Sequence, residues 1–350
     1  MAPSSLTLQY DALLSTTLFN YRRAMEDAIS TSNALLFYLM KKTENGYKKV
    51  TELGERMAMP LMYELGKADS YSGYDQLNTS PAEGLTMAFY DWRQAAVPIS
   101  ISGREKKLNR GQAKIIDLLE TKTMQAKLGI QEFFNKRMLQ GLGGSSITSP
   151  YVSPMNGSTF VDPLPKLVAY DPTAALTVGN IPQATYAWWR NQTSSFSAVT
   201  TFKGYRQKLR QLRNNCGKGP GGYPDLYVAT QGSAELYVAA LEAMHQNPSY
   251  NVADIPFDNV SFFGKPMVWD DFMPDFGDGT VTQTKGSVVM LNTQFWGVRV
   301  DSETNFAPTE FQTPVGQDAS IAHILWMGSV GMSNRRKQGV GGLIDETISA

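Results

Sequence analysis

Residues 47 to 138 constrain this fold more than any other part of the chain: a long stretch that cannot enclose a core of its own runs directly into a long, sparsely apolar helix. The chain passes through YKKVTELGERMAMPLMYE, a polar tip dotted with aromatics, DSYSGYDQLNTSPAEG, and a return leg, LTMAFYDWRQAAVPISISG. Two extended legs and a turn-rich tip predict a hairpin. At about 3.3 Å per strand residue, legs of roughly 12 to 18 residues reach about 40 to 60 Å. An isolated two-stranded hairpin is marginal in water. Met57, Met59, Leu61, Met62, Tyr63, Met87, Phe89, Tyr90 and Trp92 therefore need a surface from another domain or another copy of the chain. No comparable apolar run lies beside them in sequence, which favours another copy over packing on their own domain.

The helix is predicted from near Arg104 to the glycines of GLGGSS, where Gly141 can supply a left-handed stop. Leu108, Ile115, Leu119, Ala126, Ile130, Phe133 and Phe134 recur at steps of three, four or seven and form one amphipathic stripe. Glu132 and Lys136 form an i,i+4 pair on the polar side. About 35 residues at about 1.5 Å each make a rod of about 50 Å. Gly111 and Gly129 are positions where it can bend or admit a neighbouring backbone.

With 350 residues the chain can bury a core, as one large domain or two interleaved ones. Its charged fraction of 18% is below the roughly 25% of ordinary soluble domains, so less surface is reserved for water. Lysine plus arginine equals aspartate plus glutamate at 32 each, which argues against nucleic-acid binding by bulk charge. The single cysteine, Cys216, excludes an intramolecular disulfide, and no charged start followed by an apolar run reads as a signal peptide. A reducing cytoplasm is the expected compartment. The longest apolar run, ALLFYLM at residues 34 to 40, is far short of the roughly 20 residues a membrane helix needs, and no membrane partner is expected. Without a secretory route, the N-x-S/T triplets at Asn78, Asn156, Asn191 and Asn259 carry no meaning.

The first 40 residues read as helical from Leu13 to Met40, a docking arm more than a domain. Residues 142 to 185, rich in Ser, Pro, Gly and Thr, are the best candidate boundary. Beyond them TTFKGYRQKLRQLRN reads as a basic helix, PDLYVATQG as a buried strand ending in a glycine turn, and SAELYVAALEAMHQ as a helix with Ser233 as N-cap. Strands follow at NVSFFGKPMVWD, GSVVMLNTQFWGVRVD and HILWMGSVGMSN, with turns at GDG and PVGQ. Without regular βαβ alternation, this order fits an α+β fold.

Catalytic motifs fail one by one. His245 lies at a helix end and His323 in an apolar strand; both read as ordinary surface or core residues, and neither is near Cys216 in sequence. GKGPGG invites a phosphate-loop reading, but Leu212 stands where that pattern needs glycine and Gly219 where it needs Ser or Thr. A flexible loop after a helix end fits better. WDDFMPDFGDG offers Asp270, Asp271, Asp275 and Asp278 without calcium-loop spacing or a closing glutamate, and reads as a solvated turn. Trp188 and Trp189 beside Arg190 could stack on a sugar or base; adjacent strand residues point oppositely, so one belongs in the core. Paired carboxylates for glycoside hydrolysis have no positive support. NRRK at residues 334 to 337 reads as a solvated turn or as charge pairing across a subunit interface. No catalytic residue, metal site or cofactor is expected.

Taken in order, these segments resemble the major capsid proteins of tailed phages, the Hong Kong 97-like fold. The resemblance rests on MAFYDWRQAAVPISISGREKKLNRG running into the long helix, on PDLYVATQGSAELYVAALE, and on the closing WMGSVGMSNRRKQG. It implies an α+β chain with an N-terminal arm (1–46), an extended E-loop hairpin (47–103) and a peripheral domain with a spine helix (104–165). An axial domain (166–312) and a return to the peripheral domain (313–350) follow. In such shells the E-loop lies over a neighbouring subunit, axial domains gather at capsomer centres and peripheral domains meet where capsomers join. Some members carry a long N-terminal scaffolding extension; the 46 residues here are too few for a full one, and the Met1 start favours no cleavage.

The resemblance implies a structural protein, not an enzyme: a virion shell, assembled in the bacterial cytoplasm, enclosing double-stranded DNA through weak non-specific contact. Its partners would be itself, as pentamers and hexamers, with a separate scaffolding protein, a portal and possible decoration proteins. Tyr71, Tyr74, Phe89, Tyr90 and Trp92 of the hairpin are the expected apolar anchors between subunits, and Arg335 and Arg336 the expected ionic bridges. An encapsulin-type cellular compartment shares this fold and differs in its contents. An unrelated soluble enzyme or carbohydrate-binding protein would need a convergent polar pocket, for which no motif is present.

Overall fold

The computed structural model describes residues 35, 38–39, 47–51, 54–66, 68–76, 83–108, 118–140, 161–242, 260–274, 285–310, 312–313 and 316–348. The expected helix over 13–40 lies almost wholly outside them, as do Ile115, Gly111, Gly141, Asp275, Asp278 and His245. The chain divides into two compact units, one of residues 1–31, 95–133 and 303–326, the other of 32–94, 134–302 and 327–350.

In chain order the elements begin with β1 (Tyr47–Val50), β2 (Met57–Met62), β3 (Leu85–Tyr90) and β4 (Arg93–Ser102). Helices α1 (Gly103–Leu108), α2 (Leu118–Gln140) and α3 (Leu164–Leu167) follow. The predicted hairpin exists, but β2 and β3 pair over six residues each. The rest of the return leg is β4, which belongs to a different sheet. Apolar residues resume directly after Asp91, at Trp92, Ala95 and Val97, so the sequence did not reveal where one ribbon stops and a second strand starts.

In the first unit, Ser102 and Glu105 form a capping box at the head of α1: Ser102 N–H donates to Glu105 Oε2 (2.9 Å) and Glu105 N–H to Ser102 Oγ (3.2 Å). The Lys122 ammonium of α2 donates to both Glu105 oxygens (3.2 and 3.1 Å) and to the Ser100 carbonyl (3.0 Å). Partial burial raises the Glu105 pKa, but the Ser102 N–H and Lys122 outweigh it and hold the carboxyl below its ordinary value. The predicted stripe is seen at Ala126, Ile130 and Phe134, which are buried, whereas Phe133 is exposed.

The second unit is built on a mixed sheet. Strands β5 (Thr177–Val178) and β6 (Ile181–Pro182) form a small ribbon, followed by β7 (Gln192–Ser195), helix α4 (Phe202–Gly217), β8 (Leu226–Ala229) and helix α5 (Gln231–Glu242). Then come β9 (Val260–Phe262), β10 (Lys265–Trp269), β11 (Lys285–Leu291), β12 (Trp296–Pro308), β13 (Ala319–Met332) and β14 (Gly339–Asp345), of which residues 303–326 belong to the first unit. Six strands lie in the order β7-β14-β11-β8-β10-β9. β8 and β10 are parallel, with α5 between them in sequence, and β11 is antiparallel to β8 and β14. A second sheet has the order β1-β12-β13-β4.

Helix α4 starts at Thr201, whose Oγ1 accepts from the Gly204 N–H (3.2 Å). Tyr205, Leu209, Leu212 and Cys216 recur on its buried stripe and share one apolar core with Leu236 and Tyr237 of α5 and with Tyr227, Met267, Val288 and Met290 of the sheet. Two expectations change here. Ser233 is buried inside the first turn of α5, and Thr230, whose carbonyl accepts from the Ala234 N–H, precedes the helix. Gly232 is part of that helix and not of a turn after the strand.

Candidate assembly surface

The register of the β2–β3 ribbon sets opposite residues on a common face: Met57 faces Tyr90, Met59 faces Ala88 and Leu61 faces Thr86 on one side. On that side Met57, Leu61, Ala88 and Tyr90 are buried. Tyr90 donates its hydroxyl to the Met332 carbonyl (2.9 Å), and Phe89 N–H donates to the Gly179 carbonyl (3.1 Å). A Cβ on Gly331 would stand 2.5 Å from Met57 Cε and 2.9 Å from the Tyr90 ring, so glycine at this point of β13 lets the ribbon seat closely. One face of the hairpin thus finds its surface within its own chain.

Among the described residues the other face has no such cover. The pairs Ala58–Phe89, Pro60–Met87 and Met62–Leu85 point outward, and all six residues are apolar. Leu85 is 80% exposed, Met62 68% and Met87 52%. Exposed apolar residues scattered singly are unremarkable, but a ribbon face made only of them marks an interaction surface. Beyond it the Tyr63 N–H donates to the Gly84 carbonyl (2.9 Å) and the Tyr63 ring stacks on Trp188 at 5.1 Å. Farther out, Ser72 and Asp75 close a turn: the Ser72 N–H donates to Asp75 Oδ2 (2.9 Å) and the Asp75 N–H to the Ser72 carbonyl (2.9 Å).

The expected contact residues part into two groups. Tyr71, Tyr74 and Phe89 are exposed, as is Arg336. Trp92 is half-buried and donates Nε1–H to the Gly54 carbonyl (2.9 Å), fastening the base of the ribbon. Tyr90 and Arg335 are corrected. The buried Tyr90 phenol is spent on Met332, and burial raises its pKa.

Arg335 is fully buried. Its Nε donates to the Leu167 carbonyl (2.8 Å), Nη1 to the Trp189 carbonyl (3.1 Å), and Nη2 to Gln183 Oε1 (2.8 Å) and Asn191 Oδ1 (3.2 Å). Burial lowers its pKa to about 10, so the guanidinium stays charged at neutral pH without a carboxylate among these partners. It clasps segments within one subunit and cannot bridge two. Sequence showed a basic cluster but not the ring of carbonyls around it.

Other motif readings resolve similarly. The GKGPGG loop folds around the Lys337 ammonium, which donates to the carbonyls of Lys218 (3.1 Å) and Gly219 (2.9 Å) and, at longer range, of Gly217 and Gly222 (3.4 Å each). Gly221 adopts φ +103°, and a Cβ there would lie 2.5 Å from the Phe295 ring. Cys216 is buried and burial pushes its thiol up to about 12, which keeps it protonated and unreactive. Trp189 is the core member of its pair, donating Nε1–H to the Val178 carbonyl (2.9 Å), but it lies in a 3-10 turn, Ala187–Trp189, and not in a strand.

Asp270 was expected in a solvated turn and is instead buried. Asn135 Nδ2 donates to both its oxygens (3.1 and 2.9 Å), and Phe272 N–H donates to Oδ1 (3.1 Å). Burial lifts its pKa to about 6 against the lowering pull of these donors and of the Leu35 N–H. Among the described residues there is no cluster of three or more metal-ligating side chains, and no helix is long and apolar enough to cross a membrane.

No family model matches the sequence, and no curated protein matches it by sequence. Solved structures do match the fold. The capsid asymmetric unit of cyanophage A-1(L) is similar at a TM-score of 0.60 and 12% identity, over 95% of this chain and 99% of that one. The capsid of an empty GTA particle is similar at 0.60 and 9% identity, over 98% and 100%. The holo-SrpI encapsulin complex of Synechococcus elongatus PCC 7942 is similar at 0.54 and 10% identity, over 99% and 98%. What the chain shares with them is its architecture, the Hong Kong 97-like capsid fold.

Proposed function

We propose that this chain, having the Hong Kong 97-like fold, is the major capsid protein of a tailed bacteriophage and self-assembles into an icosahedral shell around double-stranded DNA. The observation that carries this reading is the outward face of the β2–β3 ribbon, where Ala58, Pro60, Met62, Leu85, Met87 and Phe89 form an unbroken apolar strip. Obligate interfaces bury upwards of about 2,000 Å² and rely on apolar anchors. A heterologous contact of this kind, repeated head to tail, closes into rings when the rotation between copies closes.

In this reading residues 1–46 form the arm, 47–103 the E-loop, 104–165 and 313–350 the peripheral domain and 166–312 the axial domain. Tyr71, Tyr74, Phe89, Trp92 and Arg336 remain contact residues, joined by Met62, Leu85 and Met87. The shell would form in the bacterial cytoplasm, with a separate scaffolding protein, a portal and decoration proteins as further partners, and persist as the virion capsid.

Negative-stain electron microscopy and sedimentation of the protein produced in bacteria test this. Uniform shells, or rings of five and six, are expected. A monomer that stays monomeric when co-produced with the proteins of its neighbouring genes would overturn it. The encapsulin likeness supports a second reading, a compartment loaded with an enzyme; shells that carry protein cargo and no nucleic acid would favour it.

A further inference from the structure

Helix α4 carries Lys203, Arg206, Lys208, Arg210 and Arg213 and no acidic residue. Lys203, Arg206 and Arg210 line one groove of about 280 Å3, together with Gln207, Tyr237, Phe262 and Phe263. The seven steps from Lys203 to Arg210 spread positive charge over about 10 Å of helix. Phe263 forms the opposite wall. It sits at φ +51° in the tight turn between β9 and β10, followed by Gly264 at +71°, and is 55% exposed. A bulky side chain in the left-handed region is strained, and such strain persists where the surroundings hold it. Arg213 does so here, standing 4.4 Å from the Phe263 ring centre and 4.1 Å from that of Tyr223.

The hairpin tip has the complementary character. Between residues 63 and 84 it has four acids, Glu64, Asp69, Asp75 and Glu83, against the single base Lys67. The Ser72–Asp75 turn lifts out two tyrosines, Tyr71 at 67% exposure and Tyr74 at 106%. Among the described residues neither tyrosine ring is covered, and Phe263, although Arg213 and Phe262 pack on it, keeps about half of its surface open, so the tip does not fill its own groove. A nucleic-acid strand is the weaker fit, because three of the seven lining residues are aromatic and the chain as a whole carries no net positive charge.

We infer that the acidic, tyrosine-bearing tip of one copy docks in the basic aromatic groove of the next copy, with the tyrosines against Phe263 and the arginines paired to tip carboxylates. This rests on the shell reading and adds to it a directional contact that selects the neighbour. Charge complementarity of this kind sets partner and register more than raw affinity.

Two cysteine pairs test it, Tyr71→Cys with Gln207→Cys and Tyr74→Cys with Gln207→Cys, against a background of one buried native thiol, Cys216. Oxidising assembled particles with diamide is expected to give a covalent ladder on non-reducing gels, absent from each single variant. Shells without a ladder from either pair would overturn the inference while leaving the shell reading intact; wild-type protein that forms no shells even when co-produced with the proteins of its neighbouring genes would overturn that reading instead. In a second test, Arg206→Glu with Arg210→Glu is expected to cut shell yield about tenfold, and adding Glu64→Lys with Asp69→Lys to restore most of it. Normal shells that lose only their DNA would assign the groove to nucleic acid and overturn the inference.

Discussion

The phenol of Tyr90 donates to the carbonyl of Met332 at 2.9 Å, a bond between residues 242 positions apart. It joins the base of the hairpin to the end of β13 and gives the ribbon one fixed face and one open face. Tyr90→Phe removes the donor and leaves a buried carbonyl unpaired, so a loss of about 1 to 2 kcal/mol is expected in denaturant unfolding. Stability equal to wild type would mean the bond is not formed in solution.

The open face is expected to respond in the opposite way. Leu85→Asn with Met87→Asn touches exposed side chains, so unfolding should move by no more than about 0.5 kcal/mol per site. Shell yield by sedimentation should collapse. Wild-type yields would show that this face is not buried on assembly.

Arg335→Ala leaves the acceptors of Leu167, Trp189, Gln183 and Asn191 without their donor and opens a cavity in the core. A loss of about 3 kcal/mol or more is expected. Arg335→Lys keeps the charge but not the planar fork, and should recover only part of it. A surface role at a subunit contact predicts nearly unchanged monomer stability for both, which chemical denaturation of the monomer decides.

The Asp270 carboxyl, raised by burial to about 6, has an unfolded value of about 3.9. A carboxyl whose pKa rises on folding favours the protonated folded state. Its contribution is therefore full below about pH 4 and is lost as pH climbs through 6. Between pH 5 and 7 wild type should lose about 1 kcal/mol more than Asp270→Asn, measured as the difference between their stability profiles. Parallel profiles would place the carboxyl in water.

Sequence alone determined the elements with a local cause. Helix α4 was legible as a basic helix in FKGYRQKLRQLRN, and the β2–β3 ribbon as two extended legs around a turn-rich tip. Which face of it stays open was not legible, because Met57, Leu61 and Tyr90 on the covered face are as apolar as Met62, Met87 and Phe89 on the open one. Only the tertiary structure decided what surrounds each polar or aromatic group. Arg335 and Arg336 are neighbours in sequence, yet one lies within four acceptors from residues 167 to 191 and the other faces outward. Asp270 and Asp271 part in the same way, the first against Asn135 and the second exposed. Burial and hydrogen-bond partners come from residues more than a hundred positions away, and no local pattern encodes them. Periodicity assigns a residue to a face; only the fold assigns that face to the interior of its own chain or leaves it open.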